Sequence, residues 1–301
     1  MSIHKAVTLL ALACWWAVAP CQAAGTNDGY AVVVSRATLD RPEWKKVVDA
    51  LVAKHHGQVI VYDRLDQARA GLARLFPRYA CFVATPAEAT RQFVAEVHRL
   101  TRQLDDDPYT DLLWGILTGY DAANALRIAR QEQPLVIRRV VAGTEVALEM
   151  CEEGAWYSEL KPGRRVRKKP GQQPTAEIGA TDTTQELVEA LNHSQADLFV
   201  TSGHATERDW QIGFGYRNGS FRSEAGRLFG LDTRQHRYPI HSPNPKVYLA
   251  VGNCLMGHID GPDTMALAFL NSGGVDQMVA YTVPTWYGYG GWGCLDYFVE
   301  Q

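Results

Sequence analysis

Several things are scarce in this chain of 301 residues, and each absence removes a class of function. Basic charge is not in excess: 30 Lys and Arg stand against 33 Asp and Glu, for a formal net charge of -3. A binder of nucleic acid or of an anionic membrane normally carries a basic face, so neither partner is expected. Cysteine is sparse as well, and six in a chain of this length do not make a disulfide scaffold. The apolar run Ala6 to Ala19 is too short for a stable transmembrane anchor. No internal repeat and no low-complexity tract interrupts the chain. With 46% hydrophobic residues and an ordinary charged fraction of 21%, one large α/β domain with a sizeable core is the default.

The N-terminus has the layout of an export signal. Lys5 supplies a positive start, Ala6 to Ala19 an apolar stretch rich in Leu, Ala and Trp, and Pro20 a break before small residues. A signal peptide over 1–23, cleaved after Ala23, is expected, which places the mature chain in the periplasm or outside the cell. Cys81, Cys151, Cys254 and Cys294 then remain.

After a polar linker, apolar β-branched runs alternate with amphipathic segments. Tyr30 to Ser35 predicts a strand, Pro42 to His55 a helix with Trp44, Val47, Val48 and Leu51 on one face, and Gln58 to Tyr62 a second strand. Ala80 to Ala84 leads to a predicted helix with Thr85 as N-cap, Pro86 at the first position and Glu88 completing a capping box. Leu112 to Leu117 and Leu135 to Val140 predict further strands, with a helix from Ala122 capped by Asp121. The pattern predicts a three-layer α/β sandwich around a mostly parallel sheet. The segment 151–181 breaks the rhythm with Pro162, Gly163, Pro170, Gly171 and Pro174, and reads as an exposed loop insertion. Its basic run, Arg164, Arg165, Arg167, Lys168 and Lys169, is a solvated face, a surface for an acidic partner, or a cleavage site. Thr183 and Glu186 form a second capping-box pattern for a helix through Leu191. From Ala205 to Pro245 a polar, Gly-rich excursion predicts a hairpin with loops.

Two predicted strands end alike. DLFVTSGHATE places His204 just past an apolar run, behind Ser202 and Gly203, and VYLAVGNCLMG does the same for Cys254. In an open parallel sheet, ligands sit beyond the carboxyl ends of strands, so both side chains are expected on one rim. A cysteine meant for packing belongs inside a strand, as Cys81 does in YACFVA. One on a glycine turn can be reached by a substrate carbonyl, and a neighbouring imidazole can favour the thiolate and protonate the leaving amine.

These residues carry a resemblance. A histidine in a strand-end SGH turn, about fifty residues ahead of a cysteine in a second such turn, resembles the caspase-fold cysteine peptidases. Within that group the chain is similar to the gingipain family of secreted bacterial peptidases. The family's His-Gly and Cys-x-x-Gly elements are matched by His204-Ala205 and Cys254-Leu255-Met256-Gly257, and DLLWGILTGYDAANAL resembles the strand-helix element that precedes them. The resemblance implies a caspase-like fold and a peptide or protein substrate, with no cofactor and no catalytic metal. It implies Cys254 as nucleophile, His204 as acid/base, and the backbone N–H groups of Cys254 and Ala205 as oxyanion hole, with Ala205 where the family usually has glycine. It also implies that such domains continue, so the opening helix that stops at Gln301 is expected to mark either a fragment or a last helix completed elsewhere. The loop after the strand Gln277 to Tyr281 would line the pocket before the cut, with Trp286 or Tyr287 as a wall, although surface aromatics packing on a helix fit the same pattern. Asp260 and Asp263 are further pocket candidates that could attract a basic side chain, or caps of the following helix.

Two other classes stay open. Cys254, His258 and His204 have residue types and a spacing that suit zinc, without a recognisable fourth ligand. A non-catalytic binding module keeping the peptidase fold is the other, and Ala205 is its main support.

Overall fold

The computed structural model describes residues 29–286. The expected signal peptide, Tyr287 and the closing helix lie outside the described residues. Among the described residues no helix is long and apolar enough to cross a membrane.

The first half is built on β1 (Tyr30–Ser35), β2 (Gln58–Tyr62), β3 (Tyr79–Val83) and β4 (Leu113–Leu117), all parallel in the order β2-β1-β3-β4. Its helices are α1 (Arg36–Leu39), α2 (Pro42–His55), α3 (Ala68–Leu75), α4 (Arg91–Leu100) and α5 (Ala122–Ala129). The alternation along β1 explains the layering. Val32 and Val34 pack with Trp44, Val47 and Leu51 of α2 and Ala125 of α5, while Ala31 and Val33 face Leu72 of α3 and Phe93 and Val97 of α4.

The second half adds β5 (Arg139–Ala142), β6 (Glu153–Tyr157), β7 (Arg164–Lys168), β8 (Thr175–Ile178), α6 (Thr184–His193) and β9 (Leu198–Thr201). The excursion after β9 is richer than a hairpin. It forms a four-stranded antiparallel sheet, β10 (Asp209–Gln211), β11 (Ser220–Glu224), β12 (Arg227–Leu231) and β13 (Arg237–Ile240). β14 (Lys246–Ala250), α7 (Met265–Asn271) and β15 (Val275–Val279) complete the chain, and the second main sheet runs β15-β14-β9-β5-β6-β7-β8. Phe199 of β9 knits the layers, its ring lying 5.1 to 6.3 Å from those of Tyr248, Phe269, Trp210 and Phe221.

The α/β class with helices over mostly parallel strands is what the sequence predicts; the division into two sheets is not. They are joined by packing, since Ile259, Ala266 and Leu267 enter the core of the first sheet, and by Asn124 and Arg127 of α5, which donate to Leu270 O at 2.8 and 2.9 Å.

Three local expectations are corrected. The Thr85/Glu88 box forms, with Thr85 N–H on Glu88 Oε2 at 2.8 Å, but it closes one turn only and the helix starts at Arg91 with Thr90 as its cap. Glu88 instead also accepts from Ser35 and Thr38, both at 2.5 Å, which ties it to the end of β1. The Thr183/Glu186 box does not form: α6 has the expected place, but Glu186 pairs with Arg165. Finally, 151–181 is no loop. β6, β7 and β8 extend the sheet as a meander, and the basic run is β7 itself, with Arg165 between Glu177 and Glu186 and Lys168 donating to backbone carbonyls. The Gly and Pro residues that suggested a loop mark the turns around it.

Candidate active site

β9 and β14 are neighbours, paired in parallel from Leu198↔Val247 to Thr201↔Ala250. Both therefore end at the same level, and the chain turns off each within a few residues. Gly203 has φ 98° and Gly252 φ 76°, conformations that a side chain rarely allows, so the two turns are where the sequence places its glycines. His204 emerges exposed from the first turn and Cys254 half-buried from the second. This is the shared rim expected for the pair.

A residue not assigned a role from sequence holds the turns together. Asn253 is fully buried; its Oδ1 accepts from Thr201 Oγ1 at 2.6 Å and its Nδ2 donates to Gly203 O at 3.0 Å. Thr201 Oγ1 also meets Tyr248 OH at 2.8 Å. The residue before the cysteine is thus bonded to the residue before the histidine. The available signal was an Asn and a Thr, both polar, closing two otherwise apolar strands, but their pairing spans about fifty residues of sequence and needs the strand order.

The backbone beside these side chains is open. Ala205 lies opposite Trp210 in an isolated antiparallel bridge flanked by Gln211 N–H to His204 O and Thr206 N–H to Asp209 O, both 2.9 Å. In such a pair the flanking groups make the bonds, so the N–H of Ala205 points away from the hairpin. Among the described residues neither it nor the N–H of Cys254 is hydrogen-bonded. Trp210 anchors the hairpin from below, donating Nε1–H to Ser202 O at 2.7 Å. Phe214 covers one side of the imidazole, with ring centroids 4.6 Å apart.

The remaining site residues fare differently. Trp286 is 86% exposed and follows Thr285, whose backbone touches the Cys254 sulfur. Asp260 and Asp263 do not stand ready as pocket acids. Asp260 pairs with Arg208 at 2.9 Å, and Asp263 accepts Ala225 N–H at 2.7 Å, where it fixes the β11–β12 turn. The zinc arrangement is not assembled either. Among the described residues, the His, Cys, Asp and Glu groups close enough to share an ion are Asp105, Asp107 and Asp111, in the loop before β4, and not Cys254, His204 and His258.

No family model and no curated protein matches this sequence. Among solved structures, the chain is similar to the Arg-specific cysteine proteinase gingipain R, with a TM-score of 0.51 and 10% identity, over 88% of this chain and 65% of that one. The likeness establishes a shared fold, the caspase-like α/β arrangement.

Proposed function

We propose that this chain is a cysteine endopeptidase in which Cys254 is the nucleophile and His204 the acid/base. The observation that carries the reading is the Asn253 clamp, which holds a half-buried thiol and an exposed imidazole on the level ends of adjacent strands. The sulfur passes its proton to His204 and attacks the scissile carbonyl carbon. The oxyanion is received by the N–H groups of Cys254 and Ala205, which have no acceptor of their own among the described residues. Protonated His204 gives its proton to the departing amine, and the resulting thioester is then hydrolysed by water whose proton returns to His204. Trp286 walls the pocket for the residue before the cut. With Asp260 and Asp263 engaged elsewhere, a preference for Arg or Lys has no support from those acids. The reading extends to an exported enzyme, through the Lys5 to Ala23 pattern. N-terminal sequencing of the secreted product, starting at Ala24, would bear that out.

A mixed peptide library and a peptidyl acyloxymethyl ketone test the chemistry together. Cleavage of library members and a covalent adduct on Cys254, both lost in His204→Ala, are expected. Neither cleavage nor adduct in the intact chain would leave the fold-retaining binding module, favoured by Ala205, as the better reading.

A further inference from the structure

After β15 the chain does not leave the site. Tyr281 O accepts Gly257 N–H at 2.9 Å and Val283 O accepts Leu255 N–H at 3.3 Å, so alternate residues lie along the cysteine turn. Two residues further, Thr285 meets the sulfur with both backbone groups: its N–H donates to Sγ at 3.3 Å and its carbonyl accepts from Sγ at 3.4 Å. No helix or strand contains 281–285, and Tyr281 and Val283 are 38% and 41% exposed. A segment held by so few bonds, with most of its side chains exposed, belongs to the low-stability end of a fold.

The chemistry of those contacts is specific. A thiol can donate to a carbonyl and accept from an N–H at once. A thiolate can only accept, and would face the negative end of the Thr285 carbonyl. The described contacts therefore suit a resting sulfur with its proton directed at Thr285 rather than at an imidazole. The turn itself is strained, since Leu255 has φ 58° without being glycine, a left-handed conformation that a side chain disfavours. The bond from Leu255 N–H to Val283 O is part of what holds it there.

We propose that residues 281–285 are a strap that keeps Cys254 latent in the free chain, and that an extended peptide displaces it on binding. This rests on Cys254 being the nucleophile. A peptide whose carbonyl is to meet the sulfur needs the space that Thr285 occupies, so binding and unstrapping are one event, and lifting the strap lets Leu255 relax.

The test reads the thiol directly. A Cβ at Gly257 would meet Ala280 Cβ and O at 3.2 Å, so Gly257→Val pushes the root of the strap outward. Alkylation of Cys254 by iodoacetamide, followed by mass spectrometry on the peptide that carries it, is expected to be about tenfold faster in this variant, as for the loss of one or two hydrogen bonds. The double variant Gly257→Cys/Ala280→Cys does the opposite, because the same 3.2 Å separation is a small shift short of disulfide geometry. Oxidised, it is expected to alkylate at Cys254 about tenfold more slowly than when reduced. Should Gly257→Val not fold, the locked variant carries the test alone. Equal rates in the intact chain, Gly257→Val and both redox states of the lock would overturn the strap. Rates that respond as expected while no form cleaves any peptide would uphold the strap and remove the peptidase reading.

Discussion

The rim above β1 and β3 is closed by one carboxylate, while the rim above β9 and β14 is left open by glycines. In the first, Glu88 accepts from the hydroxyls of Ser35, Thr38 and Thr85. The cysteine of that sheet, Cys81, sits inside β3, where burial pushes its thiol up to about 11 despite a hydrogen bond from Tyr30. In the second, Gly203 and Gly252 turn the chain away early, the cysteine stands beyond its strand, and two N–H groups have no acceptor among the described residues. Around each rim the strands are parallel and helix-covered, so architecture alone does not make a site. The turns at the strand ends decide which rim closes on itself and which is free to act on something else.

Exchanging the two cysteines in thought gives the largest expected contrast. Cys254→Ala should lower kcat/KM for any peptide substrate by about 10³-fold or more, with a change in stability within about 0.5 kcal/mol, because the side chain is neither in a strand nor fully buried. Cys81→Ala should leave kcat/KM unchanged and cost about 1 kcal/mol in urea denaturation, as a small core truncation does. Hydrolysis that survives in Cys254→Ala would collapse the distinction between the rims.

Next comes the clamp. Asn253→Ala leaves the carbonyl of Gly203 and the hydroxyl of Thr201 short of a buried partner, at a cost of about 2 to 4 kcal/mol. Because both turns then lose their common tie, kcat should fall about a hundredfold while KM moves little. A variant with normal turnover would show that the turns hold themselves and that Asn253 serves stability alone.

On the closed rim the charge of Glu88 is the determinant. Burial raises its carboxyl, but the hydrogen bonds from Ser35, Thr38 and Thr85 outweigh this and hold it below the ordinary value. A carboxyl lowered on folding adds stability that is fully present above its unfolded pKa of about 4.3 and is lost as pH falls through the folded value. Glu88→Gln should thus be about 1 to 2 kcal/mol less stable at pH 7, and the gap should close as the pH drops below about 4. Peptide hydrolysis should not change. A gap independent of pH would mean that the charge of Glu88 is not what closes the rim.

Sequence made the open rim more legible than the closed one. His204 and Cys254 follow apolar runs with glycine beside them, a signal contained in a few adjacent residues. Asn253 and Thr285 escaped because their partners lie about fifty and about thirty residues away and are brought close only by the order of the strands they follow. The Thr85/Glu88 pattern was read correctly as a pair and wrongly as a helix start, because the carboxylate is claimed from β1 as well as from Thr85. Asp260 and Asp263 carried the right charge for a basic substrate, yet Arg208 and the β11–β12 turn engage them first.

The basic run is where sequence and structure part most clearly, and it carries the smallest expected effects. Read as a loop, Arg164 to Lys169 would be nicked by any peptidase that cuts after Arg or Lys. As β7 it is paired on both sides, with β6 and β8, and a paired strand does not fit an extended cleavage groove. Trypsin is therefore expected to leave the run intact in the native chain and to cut it once the chain is unfolded. The two arginines should separate by exposure. Arg165, 16% exposed between Glu177 and Glu186, is expected to cost about 1 kcal/mol when changed to Ala; Arg167, 42% exposed against the same acids, less than about 0.5. Rapid native cleavage after Arg165 or Arg167 would show that the meander opens readily, and would return this segment to the mobile surface that its prolines and glycines first suggested.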